Sequence, residues 1–74
     1  MNEEYFARLT LQKENVINKR KVFLYLVSSS IGNIIAVEYE DKDYMLHRKL
    51  FDEDYEKAEA YFDSVCRKKL AGKL

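Results

Sequence analysis

The sequence has no tryptophan and no proline, only two glycines (Gly32 and Gly72), one cysteine and one histidine. Without Pro or Gly punctuation, repeats or low-complexity tracts, no linker is visible, and residues 1–74 read as a single α+β domain. One thiol, Cys66, excludes an intramolecular disulfide. With His47 as the sole imidazole there is no Cys/His cluster for a structural metal, so stability has to come from packing or association, and a reducing, cytoplasmic setting is expected. No stretch approaches the run of about 18 apolar residues that marks a membrane span. The chain opens on Asn2-Glu3-Glu4 rather than on a basic segment followed by an apolar one, so neither secretion nor insertion is expected. There is no Gly-rich phosphate loop, no Ser-centred nucleophile elbow and no metal-spaced His pair. No glycine between Gly32 and Gly72 is available for a Ca²⁺ loop. These absences predict a protein that is not an enzyme and takes no cofactor and no metal.

What is present is apolar material: 47% of residues are hydrophobic and 14% aromatic, with six Tyr and four Phe. That is enough for a packed core, although a chain of this size buries only about 60% of the surface its unfolded form exposes. The formal net charge is zero, which argues against a general electrostatic pull on nucleic acid or anionic membranes. The charges are unevenly spread. Residues 38 to 63 hold ten acidic and four basic side chains, whereas residues 64 to 74 hold four basic and no acidic ones.

Tyr5, Ala7, Leu9 and Leu11 alternate with Phe6, Arg8, Thr10 and Gln12, the period of two that predicts a half-buried strand over residues 4 to 13. A helix from Asn2 to Asn18 competes, aligning Tyr5, Phe6, Leu9, Val16 and Ile17, but it places Gln12 and Lys13 where its apolar stripe should continue. Asn18-Lys19-Arg20-Lys21 marks a turn. Val22 to Val27 is then a continuous β-branched and aromatic run, which needs cover on both faces if it is a strand. Ser28 to Asn33 reads as a loop, Ile34 to Glu40 as a third strand, Asp41-Lys42 as a tight connection and Asp43 to Phe51 as a fourth strand. Phe51, Tyr55, Ala58, Phe62, Val65, Cys66 and Leu70 recur at three- and four-residue steps and predict an amphipathic helix over Asp52 to Leu70. Asp52 suits its N-cap, Arg67, Lys68 and Lys69 suit its last turn, and Gly72 suits its termination. The fold expected is a four-stranded antiparallel β-meander followed by one C-terminal helix, ββββα.

A two-residue turn at Asp41-Lys42 would set Tyr39 opposite Tyr44 and Val37 opposite Leu46, placing these with Ile35 and Leu50 on one side of the sheet. The other side would then carry Ile34, Ala36, Glu38, Met45, His47 and Lys49. One helix cannot cover both. The bare side, with Ile34, Ala36, Met45, His47, Lys49 and Tyr25 as candidate contacts, is therefore expected to bind a protein partner, most simply a second copy in a homodimer.

Other chemistry reads less well. Cys66 and His47 form a conceivable nucleophilic pair, but Cys66 lies on the buried stripe. Asp52, Glu53, Asp54 and Glu56 are accounted for by a helix N-terminus. Asn18 to Lys21, His47-Arg48-Lys49 and Arg67-Lys68-Lys69, together with exposed aromatics, suggest single-stranded nucleic acid as an alternative ligand. The acidic surplus of residues 38 to 63 suggests a second alternative, a small inhibitor of the phage or mobile-element type that occludes a basic cleft on another protein. The strands followed by Phe-x₃-Tyr-x₂-Ala-x₃-Phe loosely resemble the WGR domain, a nucleic-acid-associated module. Ser28-Ser29-Ser30-Ile31-Gly32 stands where its Trp-Gly-Arg signature belongs.

Overall fold

The structure is a computed structural model that describes residues 7–74. Strands β1 (Ala7–Ile17), β2 (Arg20–Ser29), β3 (Gly32–Glu40) and β4 (Leu46–Leu50) form one antiparallel sheet in the order β1-β2-β3-β4, and helix α1 (Tyr55–Leu70) follows. The ββββα architecture is the one the sequence predicts. The first segment is a strand and not a helix from Ala7 to Ile17; residues 4–6 of the expected strand lie outside the described residues.

Hairpin chemistry sets the first two connections. Ile17 pairs with Arg20, so the turn is Asn18-Lys19 alone, and both residues have positive φ, 54° and 66°. Such a turn matches the right-handed twist of the strands, and Asn tolerates it well. Ser29 pairs with Gly32, leaving Ser30-Ile31 at the tip. The Ser29 hydroxyl donates to the Gly32 carbonyl at 2.9 Å and accepts from Ile31 N–H at 3.3 Å. The expected six-residue loop is thus a tight hairpin, and the flanking strands are longer than their apolar runs.

β1 carries a bulge between Leu11 and Lys13. The extra residue reverses the alternation, so Leu9 and Leu11 face one side of the sheet while Lys13, Asn15 and Ile17 face the other. The helix lies on that second side. Ile17, Val22, Leu24, Ile35, Val37 and Tyr39 pack against Ala58, Phe62, Val65 and Cys66 to form the core.

The β3–β4 connection differs from expectation. Asp41 to Met45 intervenes between the strands, and Tyr39 pairs with His47 rather than with Tyr44, three residues earlier. Asp41 builds this loop: its Oδ1 accepts from the N–H groups of Asp43 (2.8 Å) and Met45 (3.0 Å), and its carbonyl accepts from Tyr44 N–H, with Tyr44 at φ 64°. An odd shift of register exchanges the faces of every β4 side chain. Leu46 and Leu50 therefore lie opposite the helix, and His47 and Lys49 lie on its side.

The helix begins later than expected. Asp54, not Asp52, is the N-cap, its Oδ1 accepting from Lys57 N–H at 3.1 Å. Asp52 has φ 49° and its carbonyl accepts from Ile35 N–H at 2.6 Å, while Phe51 N–H donates to the Ile35 carbonyl at 2.8 Å. Phe51 and Asp52 thus tie the chain back to β3 before the helix starts. At the far end Gly72, at φ 77°, follows the C-cap, and Lys73 N–H reaches the Lys68 carbonyl at 2.8 Å. Lys69 sits on the buried stripe one turn beyond Val65, and Leu70, the expected flank of that stripe, is exposed.

Candidate functional site

The face of the sheet opposite the helix is the candidate. Its side chains fall into rows set by the strand register. Leu9, Val27 and Ile34 form one row, and Leu11, Tyr25, Ala36 and Leu50 form the next. Beyond the bulge come Glu14, Phe23, Glu38 and Arg48, and finally Val16, Lys21, Glu40 and Leu46. Period-two alternation on four adjacent strands is what brings these residues together.

Much of this face is apolar and open to solvent. Leu9, Leu11 and Leu50 are 68%, 53% and 57% exposed, and Val16 and Leu46 are similarly open. Phe23, Tyr25 and Val27 are half-buried, and Ala36 is fully enclosed at the centre. Leu9, Leu11, Phe23, Tyr25, Glu38 and Arg48 line a shallow depression of about 380 Å³.

Three of the charged groups among these apolar side chains, Glu38, Arg48 and Glu40, have partners within the sheet. Tyr25 donates its phenol to Glu38 Oε1 at 2.8 Å, and Arg48 Nε lies 3.5 Å from the same oxygen. Burial, and then the neighbouring Glu38 carboxylate, raise the Tyr25 phenol above its ordinary pKa, which keeps it a donor. Glu40 Oε1 accepts from Lys21 N–H at 3.2 Å.

Of the six candidates read from the sequence, Tyr25, Ile34 and Ala36 stand together on this face. His47 and Lys49 do not: His47 stacks on Tyr39 with ring centroids 4.9 Å apart, and the Lys49 amine lies 5.0 Å from the Tyr61 ring centre on the helix side. Met45 is in the β3–β4 loop. Leu46 and Leu50, assigned to the covered side by the expected register, belong to the open face instead. Leu9 and Leu11 were visible as an apolar alternation, but nothing in it told which face the helix would take.

The rest of the chemistry gathers at the end of the sheet formed by the β1–β2 turn, the β3–β4 loop and the helix C-terminus. His47 Nε2 lies 2.7 Å from Asp41 Oδ2. That contact, with the Met45 N–H, holds the Asp41 carboxyl down at about 2. Arg20 donates to the Asn18 and Lys42 carbonyls and lies over the Tyr44 ring. Lys69 is buried and donates to the Glu40 carbonyl; burial first, then the charge of Arg20, lowers its pKa. Two cations of the basic clusters, Arg20 and Lys69, are thus engaged by backbone carbonyls, and strand alternation divides His47-Arg48-Lys49 between the two faces.

Cys66 is buried between helix and sheet, where Asn15 Nδ2 approaches its Sγ at 3.7 Å. No family model, curated protein or solved structure matches the chain. The likeness to the WGR domain is therefore one of pattern alone. Among the described residues no group of His, Cys, Asp or Glu is arranged to hold a metal ion, and no helix is long and apolar enough to cross a membrane.

Proposed function

We propose that this chain is a small non-enzymatic interaction module that binds a protein through the open face of its sheet, in a reducing cytoplasmic compartment suited to its single buried thiol. The observation that carries this reading is the continuity of the face: apolar side chains from all four strands lie side by side, and none of the other described residues covers them. Soluble proteins rarely leave an apolar patch of more than a few hundred Å² to water unless it meets a partner. Tyr25 on the central strand β2 and Arg48 on the edge strand β4 are residue types over-represented where binding energy concentrates. Glu38, held by both, is ready to be covered without becoming an unpaired charge.

The test compares tagged wild-type chain with a Leu11→Asp/Leu50→Asp variant in capture from native lysate, read by mass spectrometry. Both positions are open to solvent, so the variant keeps its far-ultraviolet circular dichroism. A protein held by the wild type and lost by the variant supports the reading. Equal capture by both rejects it, as does no capture by either when the tagged wild type also fails to retain added untagged chain.

A further inference from the structure

We infer that the occupant of the open face is a second copy of this chain, stacked face to face about a two-fold axis running along the strands between β2 and β3. The inference rests on the interaction reading above and adds to it the identity and geometry of the partner.

A two-fold axis in that direction lays β1 over the partner's β4 and β2 over the partner's β3, row upon like row. Most pairs on this face suit that operation; Phe23, which meets Glu38, and Leu9, which has no β4 residue opposite it, are the exceptions. In the central row Leu11 meets Leu50, and the large Tyr25 meets the small, enclosed Ala36. Val27 meets Ile34. In the bulge-side row Glu14 on β1 meets Arg48 on β4, charges of opposite sign from opposite edges of the sheet. In the last row Lys21 meets Glu40, and Val16 meets Leu46. A two-fold axis across the strands through the centre of the face instead would set the row of Leu11, Tyr25, Ala36 and Leu50 against the row of Glu14, Phe23, Glu38 and Arg48, placing Ala36 on Glu38 and Leu50 on Arg48. Packed sheets cross at about 30°, so the axis tilts by roughly 15° from the strands and the pairing is closest near the centre.

The area agrees. Four strands at about 4.8 Å spacing, over about seven residue steps of 3.4 Å, give a face of roughly 19 by 24 Å. Two such faces with side-chain relief bury roughly 1,000 Å², the lower margin of a specific interface. An interface of this size fits a weak, reversible association. The zero net charge of the chain offers no global repulsion to resist it.

Glu14 and Arg48 make the test specific, because they lie on opposite edge strands and can meet only between copies. Sedimentation equilibrium of the full chain from 1 to 500 µM should show a transition from 8.8 kDa to twice that mass. Glu14→Lys and Arg48→Glu should each weaken self-association about tenfold or more, since each homodimer then contains two like-charge contacts. Mixing the two variants should restore a dimer, as the heterodimer regains complementary charges at both contacts. Circular dichroism of each variant establishes that it is folded. A chain monomeric throughout this range overturns the second-copy inference while leaving the lysate test of the face to stand or fall separately. A dimer whose strength neither variant changes, or variants that do not re-associate on mixing, overturns the geometry.

Discussion

Lys69 carries its aliphatic stem and its amine into the layer between helix and sheet, where the amine donates to the Glu40 carbonyl and the Tyr39 ring lies 5.8 Å away. The fold holds the Lys69 pKa below its ordinary value of 10.5. A lysine depressed in this way disfavours folding while it is charged in the folded state, and that penalty fades as pH rises towards 10.5. Lys69→Met, which keeps the stem and removes the charge, should therefore stay within about 1 kcal/mol of wild type near neutrality. Lys69→Ala, which adds a void to the lost carbonyl contact common to both variants, should cost about 2–3 kcal/mol in urea unfolding. The wild type should gain on Lys69→Met as the pH of the measurement is raised from 8 to 10. Asp41 has the opposite sign. Its folded pKa of about 2 lies below the ordinary 3.8, so its contribution is present above about pH 4 and lost as pH falls towards 2. Acid unfolding of Asp41→Asn, compared with wild type, should show the difference between the two proteins shrinking across that window.

At the level of the elements, the helix start and the first hairpin offer paired substitutions. Asp54→Ala should cost about 1 kcal/mol of thermal stability through loss of the cap to Lys57 N–H, whereas Asp52→Gly should be neutral or slightly stabilising because φ there is 49°. Lys19→Gly should add about 0.5–1 kcal/mol for the same reason, at φ 66°. These positions also mark where the sequence was legible. Element types followed from periodicity: alternation in β1, the continuous run of β2, the three-and-four spacing of the helix. The boundary between Asp52 and Asp54 did not, because both are acceptable caps and only the hydrogen bonds of Phe51 and Asp52 to Ile35 decide between them. The face of β4 was misassigned for a related reason. An Asp-Lys pair between two apolar runs reads as a two-residue turn, and the wider loop comes from one carboxylate gathering two N–H groups. The bulge in β1 left no residue-type signal at all, as Gln12 is neither Gly nor Pro. The open face was thus foreseeable as an excess of apolar strand surface, but its β4 contribution was not.

The whole molecule is thin. Its principal extents are 47 by 24 by 15 Å and its radius of gyration is 13.7 Å, against about 11 Å for a compact domain of this length. One helix on one face of a long meander accounts for the difference. Face-to-face association thickens the short axis, so small-angle scattering of the associated species should show a radius of gyration near 16 Å if sheets about 10 Å apart set the separation, and near 26 Å if copies join end to end. The core on the helix side carries the stability of the single chain. Phe62→Ala should cost about 3–5 kcal/mol, a large part of the roughly 4–11 kcal/mol available to a protein of this size, and should leave the chain largely unfolded at 37 °C by circular dichroism.

Cys66 lies on the side of the sheet away from the open face, sealed under the helix, and it is the only thiol in the sequence. The molecule therefore contains its own chemical clock. A disulfide reagent such as Ellman's reacts slowly until the helix lifts, so the rate of colour formation reports the open population, or the opening rate when the reagent is concentrated enough to outpace reclosing. The thiol and the open face are on opposite surfaces, so the rate and the oligomeric mass report different layers, coupled only where association of the folded chain suppresses opening. A solution condition or substitution that changes one without the other reveals at once which layer of the protein it has loosened.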